Sequence, residues 1–419
     1  MEWNKLLSQK RESSAHKIAD IRNNFQRDYD RIIFSNVFRR LQNKTQVFPL
    51  PGTKLVHNRL THSLEVASVG RSIARVVLKK LSDKTDSETL NLLNDIDIIV
   101  SSACLAHDLG NPPFGHSGEE TISSYFKEGA GKELSTEIPE NQWSDLIAFE
   151  GNANAFRLLT HQFQGRRKGG FVMTYSVLAS VVKYPFASSV ANGHGKFGFF
   201  SSEREYYERI ADELGIIRFS GKGDAPRYAR HPLVYLVEAA DDICYEIMDI
   251  EDAHKLKILT FEETMRLLLG FFGQETQCHI LDRIRAEGVD DENEQVVYAR
   301  SCVINRLEAE CVRVFTEHEE EILSGTFQGS LVDNIGEREK EAYRECTSVS
   351  KRKIYQSKPV LDVELSGYKI MATLMDVFVE AAKAPDKFYS RQLIQRVSDQ
   401  YDIHNEKLED RVMAVVDYI

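Results

Sequence analysis

Apolar residues recur three and four positions apart along most of this chain, the repeat of helices that each bury one face. Residues 17–43 place Ile18, Ile21, Phe25, Tyr29, Ile32, Ile33, Val37 and Leu41 at that spacing. Thr45-Gln-Val-Phe-Pro49 closes the run, because proline lacks the donor a helix interior needs. Leu60, Leu64, Ala67, Ile73, Val77 and Leu81 predict a second helix over 60–81. A polar connector over 82–94 leads to a strongly apolar helix over 95–107. Helical spacing returns over 145–162, over 174–184 with Pro185 as its stop, and over 233–255. Beyond residue 260 the pattern predicts amphipathic helices at 261–272, 292–323, 336–356, 359–382 and 404–419. Strand-like alternation is scarce, and no internal repeat is found. The expected fold class is all-α.

The breaks are as informative as the runs. Asn111-Pro-Pro-Phe-Gly115 cannot continue a helix. Ser117 and Glu120 then have the spacing of a capping box, which puts His116 and Glu119 at the start of the next helix. Residues 129–142, 165–170, 187–200 and 220–230 read as loops, the last two as mobile covers. Gly151 falls inside the 145–162 helix. Glycine there costs about 1 kcal/mol against alanine, so it points to a close approach by another group.

Composition narrows the class. A chain of 419 residues can bury a large core, or one domain with a substantial appendage. Its net charge of −11 argues against a surface built throughout for nucleic acid, but not against a small anion held by local positive charge. No uninterrupted run of 18 apolar residues appears, so no membrane span is expected. The N-terminal residues lack an export-signal pattern. Six cysteines form no Cys-x-x-Cys pair, which fits buried free thiols in a reducing cytoplasm.

The candidate chemistry lies where polar groups end apolar runs. His107 and Asp108 close the 95–107 helix, where an unpaired buried polar group costs roughly several kcal/mol. A metal ion would account for both; a core histidine beside an Asp bonded to backbone remains the plainer reading. Arg59 and His62 are neighbours in the first turn of the 60–81 helix. Helix N-termini favour anions, so Arg59 suits a phosphate, or else a surface ion pair. Asp241, Tyr245 and Asp249 share one stripe of the 233–255 helix, while Glu238, Asp242 and Glu246 share another. Lys183, at a helix C-terminus, would ordinarily balance the helix dipole.

The order His62, then His107-Asp108, then Ala240-Asp241 resembles the metal-ligand order of the HD phosphohydrolase superfamily. Five stretches narrow the resemblance to the dGTPase-like triphosphohydrolases: Leu41-Gln-Asn-Lys-Thr-Gln-Val-Phe-Pro-Leu50, Arg59-Leu-Thr-His-Ser-Leu-Glu-Val66, residues 107–119, Phe149-Glu-Gly-Asn-Ala153 and residues 238–245. The similarity runs from near Asp30 to the C-terminus. It implies an HD-domain helical core over 57–255, an N-terminal helical segment over 1–56 and an additional C-terminal helical region over 256–419. It also implies that His62, His107, Asp108 and Asp241 hold a divalent ion. Two imidazoles and two carboxylates suit Mn²⁺, Mg²⁺ or Fe²⁺ better than a closed Zn²⁺ site. Asp242 would support that set rather than join it.

By the same resemblance His116 and Glu119 are catalytic. Gln46, Arg59, Asn152, Lys183, Tyr184, Tyr245, Asp249 and Tyr368 would bind substrate, with Tyr245 and Gln46 crowding the 2′ side of the sugar. The implied reaction converts a deoxynucleoside triphosphate (dNTP) to deoxynucleoside and intact triphosphate. Implied partners are copies of the chain in a dimer-based homo-oligomer or hexamer, and a nucleotide or single-stranded DNA effector. Relatives of this kind carry a short tail beyond the position of Ile419. Two other readings are a general HD enzyme acting on a nucleoside monophosphate or cyclic nucleotide, and a nucleotide-binding regulator without turnover.

Overall fold

The computed structural model describes residues 1–12, 21–48, 56–82, 87–191, 195–219 and 227–419, apart from the side chain of Glu88. Among these residues helices dominate. The strands are one two-residue antiparallel ribbon, Arg218–Phe219 with Arg227–Tyr228. The chain divides into two compact units.

The first unit comprises Met1–Leu7, Ile32–Leu105 and Pro232–Asp362. In it the Arg59–Leu81 helix packs on the Pro232–Lys255 helix, and both pack on the Glu292–Glu317 helix. The apolar periodicity is the cause. Val66, Ile73 and Val77 of the first helix are fully buried, as are Leu236, Ala240 and Ile247 of the second and Val303, Leu307 and Val314 of the third. Gly70 allows a close approach. A Cβ there would stand 2.6 Å from Cys104 Sγ and 3.4 Å from Ala240 Cβ. The Asn58 side chain accepts a hydrogen bond from Thr61 N, and Thr61 Oγ1 accepts one from Asn58 N. This reciprocal cap fixes where the helix carrying Arg59 and His62 begins.

The segment Thr89–Ala106 is long and apolar enough to cross a membrane by length and composition alone. Here it is interrupted at Asn94-Asp95 and finishes as the Ile96–Ala106 helix, whose Ile99, Val100, Ala103 and Cys104 lie in the core. No cysteine is in a disulfide; four are buried, Cys302 is half-buried and Cys278 is exposed.

The second unit comprises Ser8–Arg31, Ala106–His231 and Val363–Ile419. Its core joins Phe126, Phe149, Phe197 and Phe200 to Met371, Met375, Val412 and Val415. Phe126 meets Tyr125 and Trp143 edge-on, a geometry that aromatic rings favour.

Several boundaries differ from the sequence expectations. The 17–43 helix is two shorter helices, Asn24–Ile33 and Asn36–Arg40, because Ser35 caps a new start at Phe38 N. The 145–162 helix is likewise two, Glu140–Ile147 and Gly151–Thr160. The 174–184 helix is shorter, Tyr175–Val181, so Lys183 and Tyr184 follow it rather than end it. The capping box at Ser117 does not form: the helix begins at His116, after Phe114 and Gly115 at positive φ. Gln274–Ala286 and Phe388–Ile394 are additional helices. Residues 17–20 of the first predicted helix, Pro49, and parts of the predicted connector and covers (83–86, 192–194 and 220–226) lie outside the described residues.

Candidate active site

The Asn58 cap places Arg59 at the first helical position and His62 one turn in, both buried. His62 Nε2 lies 3.1 Å from Asp241 Oδ1 on the Pro232–Lys255 helix. His107 directly follows Ala106, the last residue of the Ile96–Ala106 helix. Ligand-type atoms of His62, His107 and Asp241 all fall within 4.8 Å of one another. Two imidazole nitrogens and a carboxylate oxygen at that separation fit a divalent ion that keeps open positions. Asp108 is not in that cluster. It is buried, and its Oδ1 accepts a hydrogen bond from Asn111 Nδ2.

The stripe expected to face substrate divides. Tyr245 is half-buried, its ring 6.2 Å from that of Tyr355. Burial pushes its hydroxyl above the usual tyrosine range, so it stays neutral. Asp249 is buried and accepts a hydrogen bond from the Tyr355 hydroxyl at 2.9 Å. Burial, with Glu246 and Asp252 nearby, drives its carboxyl far above the ordinary range. Glu246, on the other stripe, is satisfied by Thr347 at 2.7 Å and Ser350 at 2.8 Å. Gln46 is half-buried, with a buried Oε1 that has no hydrogen-bond partner among the described residues. His57, just before the Arg59–Leu81 helix, fastens it to the Pro232–Lys255 helix. Its Nδ1 is 2.8 Å from Asp252 and its Nε2 is 3.0 Å from Glu65. Burial opposes its charge, yet the two carboxylates push it up to about 10.

In the second unit the His116–Lys127 helix opens with a pair. His116 Nδ1 is 2.8 Å from Glu119 Oε2, and Glu119 Oε1 accepts the Gly151 N–H at 2.8 Å. Burial alone would raise Glu119. The His116 contact, the charge of Lys196 and the Gly151 amide overcome it and hold the carboxyl below its usual range. An ionised carboxylate only accepts, so Nδ1 of His116 carries the shared proton. Nε2 is then the nitrogen left for chemistry.

Gly151 is the close approach its position in the sequence pointed to. A Cβ there would stand 2.6 Å from Asn111 Oδ1 and 2.7 Å from Glu119 Oε1. Gly151→Ala is therefore expected to push Glu119 aside and lower kcat by about 10–100-fold, since small misplacements cost that much. Paired kcat and thermal-melting measurements check this: a folded variant with unchanged kcat would refute it.

Asn152 turns back on Glu150, donating from Nδ2 to Oε1 at 2.8 Å. Lys183 Nζ sits over the Tyr184 ring at 5.7 Å from its centroid, and the Lys183 carbonyl accepts from Arg230 Nε. Tyr368, on the Lys358–Lys383 helix, is 47% exposed. Gly367 beside it accommodates the Phe114 ring, which a Cβ would meet at 2.4 Å. The sequence reading missed His57, Glu150, Lys196 and Tyr355. Glu150 lay within the Phe149-Glu-Gly-Asn-Ala153 stretch but was given no role, because the apolar spacing ran through it; Lys196 is one basic residue in a polar loop and had no signal.

Residues 59–218 match the HD domain family, which makes this an HD-domain protein. A deoxyguanosinetriphosphate triphosphohydrolase-like protein of Pseudomonas aeruginosa is 38% identical over 397 residues, covering 91% of this chain and 86% of that protein. One from Synechocystis is 34% identical over 439 residues, covering 100% and 96%. A deoxyguanosinetriphosphate triphosphohydrolase of Yersinia enterocolitica is 30% identical over 436 residues, covering 93% and 83%. The chain belongs to the deoxyguanosinetriphosphate triphosphohydrolase-like family of HD phosphohydrolases.

Proposed function

We propose that this chain hydrolyses deoxynucleoside triphosphates to deoxynucleoside and inorganic triphosphate. The observation that carries the reading is the His62–His107–Asp241 cluster, in a chain similar over nine-tenths of its length to proteins named for dGTP triphosphohydrolysis. His62, His107 and Asp241 would hold Mn²⁺, Mg²⁺ or Fe²⁺; the family resemblance adds Asp108, next to His107, as a fourth ligand although its carboxylate stands outside the cluster here. When bound, such an ion supplies Lewis-acid activation of phosphoryl group and water. Water adds to the α-phosphorus, the bond to the 5′-oxygen breaks, and that oxygen leaves needing a proton. His116 handles a proton through Nε2, because Glu119 occupies Nδ1. Arg59 and Lys183 offset triphosphate charge, which phosphoryl transfer requires.

Tyr245 with Gln46 would exclude a 2′-hydroxyl, so Tyr245→Ala is expected to narrow the preference for dGTP over GTP by about tenfold or more. Ratios of kcat/KM for the two nucleotides measure it, and an unchanged ratio would remove Tyr245 from sugar selection.

Incubation with each dNTP and with GTP, plus Mn²⁺ or Mg²⁺, followed by chromatography of the products, tests the reading and reveals base preference. Deoxynucleoside with intact triphosphate supports it. Turnover only in dNTP mixtures would add a nucleotide effector, as the family resemblance implies. Monophosphate, or no product under any mixture, would favour the other HD chemistries or a regulator.

A further inference from the structure

His57 occupies a junction that the proposed chemistry leaves unused. It lies just before the Asn58 cap, within the first compact unit, and its side chain is 14% exposed. Three contacts converge on it. Its backbone N–H donates to Asp252 Oδ2 at 2.9 Å, its Nδ1 lies 2.8 Å from the same oxygen, and its Nε2 lies 3.0 Å from Glu65 Oε1. An imidazole that meets a carboxylate at each ring nitrogen donates from both. The remaining oxygens, Asp252 Oδ1 and Glu65 Oε2, are buried with no hydrogen-bond partner among the described residues. Both carboxylates therefore depend on His57, and such charge-assisted bonds are the strong ones.

What this clamp holds is the nucleotide side of the site. Arg59 N donates to the Lys44 carbonyl at 3.2 Å, and Thr45 pairs with Asn58 in an antiparallel bridge. Gln46, His57 and Arg59 are thus parts of one piece of backbone. Asp252 fastens that piece to the Pro232–Lys255 helix, one turn beyond Asp249, whose carboxyl also feels the His57 charge. His62 depends on the clamp less. The Asn58–Thr61 cap and the buried Val66, Ile73 and Val77 hold the helix from there onward. We propose that His57 is a positioning residue: by bridging Asp252 and Glu65 it sets Gln46 and Arg59 against the Pro232–Lys255 helix, and so governs nucleotide binding and sugar selection rather than metal binding. This rests on the proposed roles of Gln46 and Arg59.

The test uses the full chain as wild type, His57→Gln, Asp252→Asn, Glu65→Gln and the His57→Gln, Asp252→Asn double variant. Glutamine carries no charge and cannot take the place of both ring donors. His57→Gln should raise KM for dGTP about tenfold and leave kcat within about threefold, the pattern of misplaced groups that bind ground and transition states alike. The preference for dGTP over GTP should narrow, and bound Mn²⁺ should match wild type. Asp252→Asn should act in the same direction, and the double variant should be no worse than the worse single one, because both break one contact. Glu65→Gln breaks the more exposed half of the clamp and should give a smaller rise in KM; it covers the case in which His57→Gln folds poorly. Hydrogen–deuterium exchange over 41–48 and 56–62 reads the clamp without turnover: faster in His57→Gln, unchanged over the Glu292–Glu317 helix. Unchanged exchange would overturn the inference. Faster exchange with KM and sugar preference unmoved would also overturn it, making His57 a stability residue alone. Additive effects in the double variant would make it a direct nucleotide contact instead. If wild type releases no triphosphate, the parent reading fails, whereas exchange and calorimetric dGTP affinity in wild type and His57→Gln still judge the clamp.

Discussion

His116→Ala should lower kcat for dNTP hydrolysis by about 10²–10⁴, the range for losing a general acid or base. The loss should be one of chemistry alone. The His116 side chain is 81% exposed, so its removal leaves no cavity. Glu119 keeps its Gly151 amide and its Lys196 neighbour, so the start of the Gly151–Thr160 helix stays in place. The melting temperature and bound-metal content should therefore match wild type. Steady-state kinetics with metal analysis on the same preparation measure both. Near-normal kcat would remove His116 from the reaction, and loss of metal along with activity would make it a structural residue.

Arg157→Met should show the largest stability effect, about 3–5 kcal/mol, the cost of stranding buried partners of a lost charge. Arg157 is buried, donates to Asp417 through Nε at 2.8 Å and Nη2 at 2.7 Å, and to Glu203 through Nη1 at 2.8 Å. These contacts tie the Gly151–Thr160 helix, which carries Gly151 and Asn152, to the C-terminal Leu408–Tyr418 helix. The pH dependence gives a second check. Burial would raise Glu203, but Arg157 and then His161 hold it below the ordinary range. Its contribution is thus present above the unfolded-state value, near 4.5, and is lost as pH falls through the lower folded value. In Arg157→Met, burial acts without the arginine, Glu203 holds its proton more tightly, and stability should fall with rising pH through that region instead. Urea midpoints across the acidic range report magnitude and slope together. An unshifted midpoint would mean the carboxylates find water or another donor.

Most of the fold was legible because the helices that hold the site are long and periodic. The Arg59–Leu81 and Pro232–Lys255 helices bury one face against several neighbours, so their apolar spacing survives in the sequence. His62, His107 and Asp241 were legible through the order His, His-Asp, Ala-Asp, which resembles the ligand order of the HD phosphohydrolases; apolar spacing alone placed them on helices without separating Asp241 from Asp242. What was hidden depends on contacts between distant residues. Phe149-Glu150 breaks a run that looks continuous because Glu150 accepts from Asn152 N as a cap, which apolar spacing does not record. Ser117 has the composition of a cap, yet the cap falls two residues earlier, at Gly115, which takes the positive φ. Asp249 sits on the right stripe for substrate, but Tyr355, more than a hundred positions away, holds it. Lys196 carries no local signature, since only the folded backbone brings it to Glu119 and Glu150.

The most direct test of the proposed reaction is to hydrolyse dGTP in ¹⁸O-water with Mn²⁺ and weigh both products by mass spectrometry. Attack of water on the α-phosphorus predicts one ¹⁸O in the released triphosphate and none in deoxyguanosine. Label in the deoxyguanosine, or pyrophosphate and monophosphate in place of triphosphate, would contradict it.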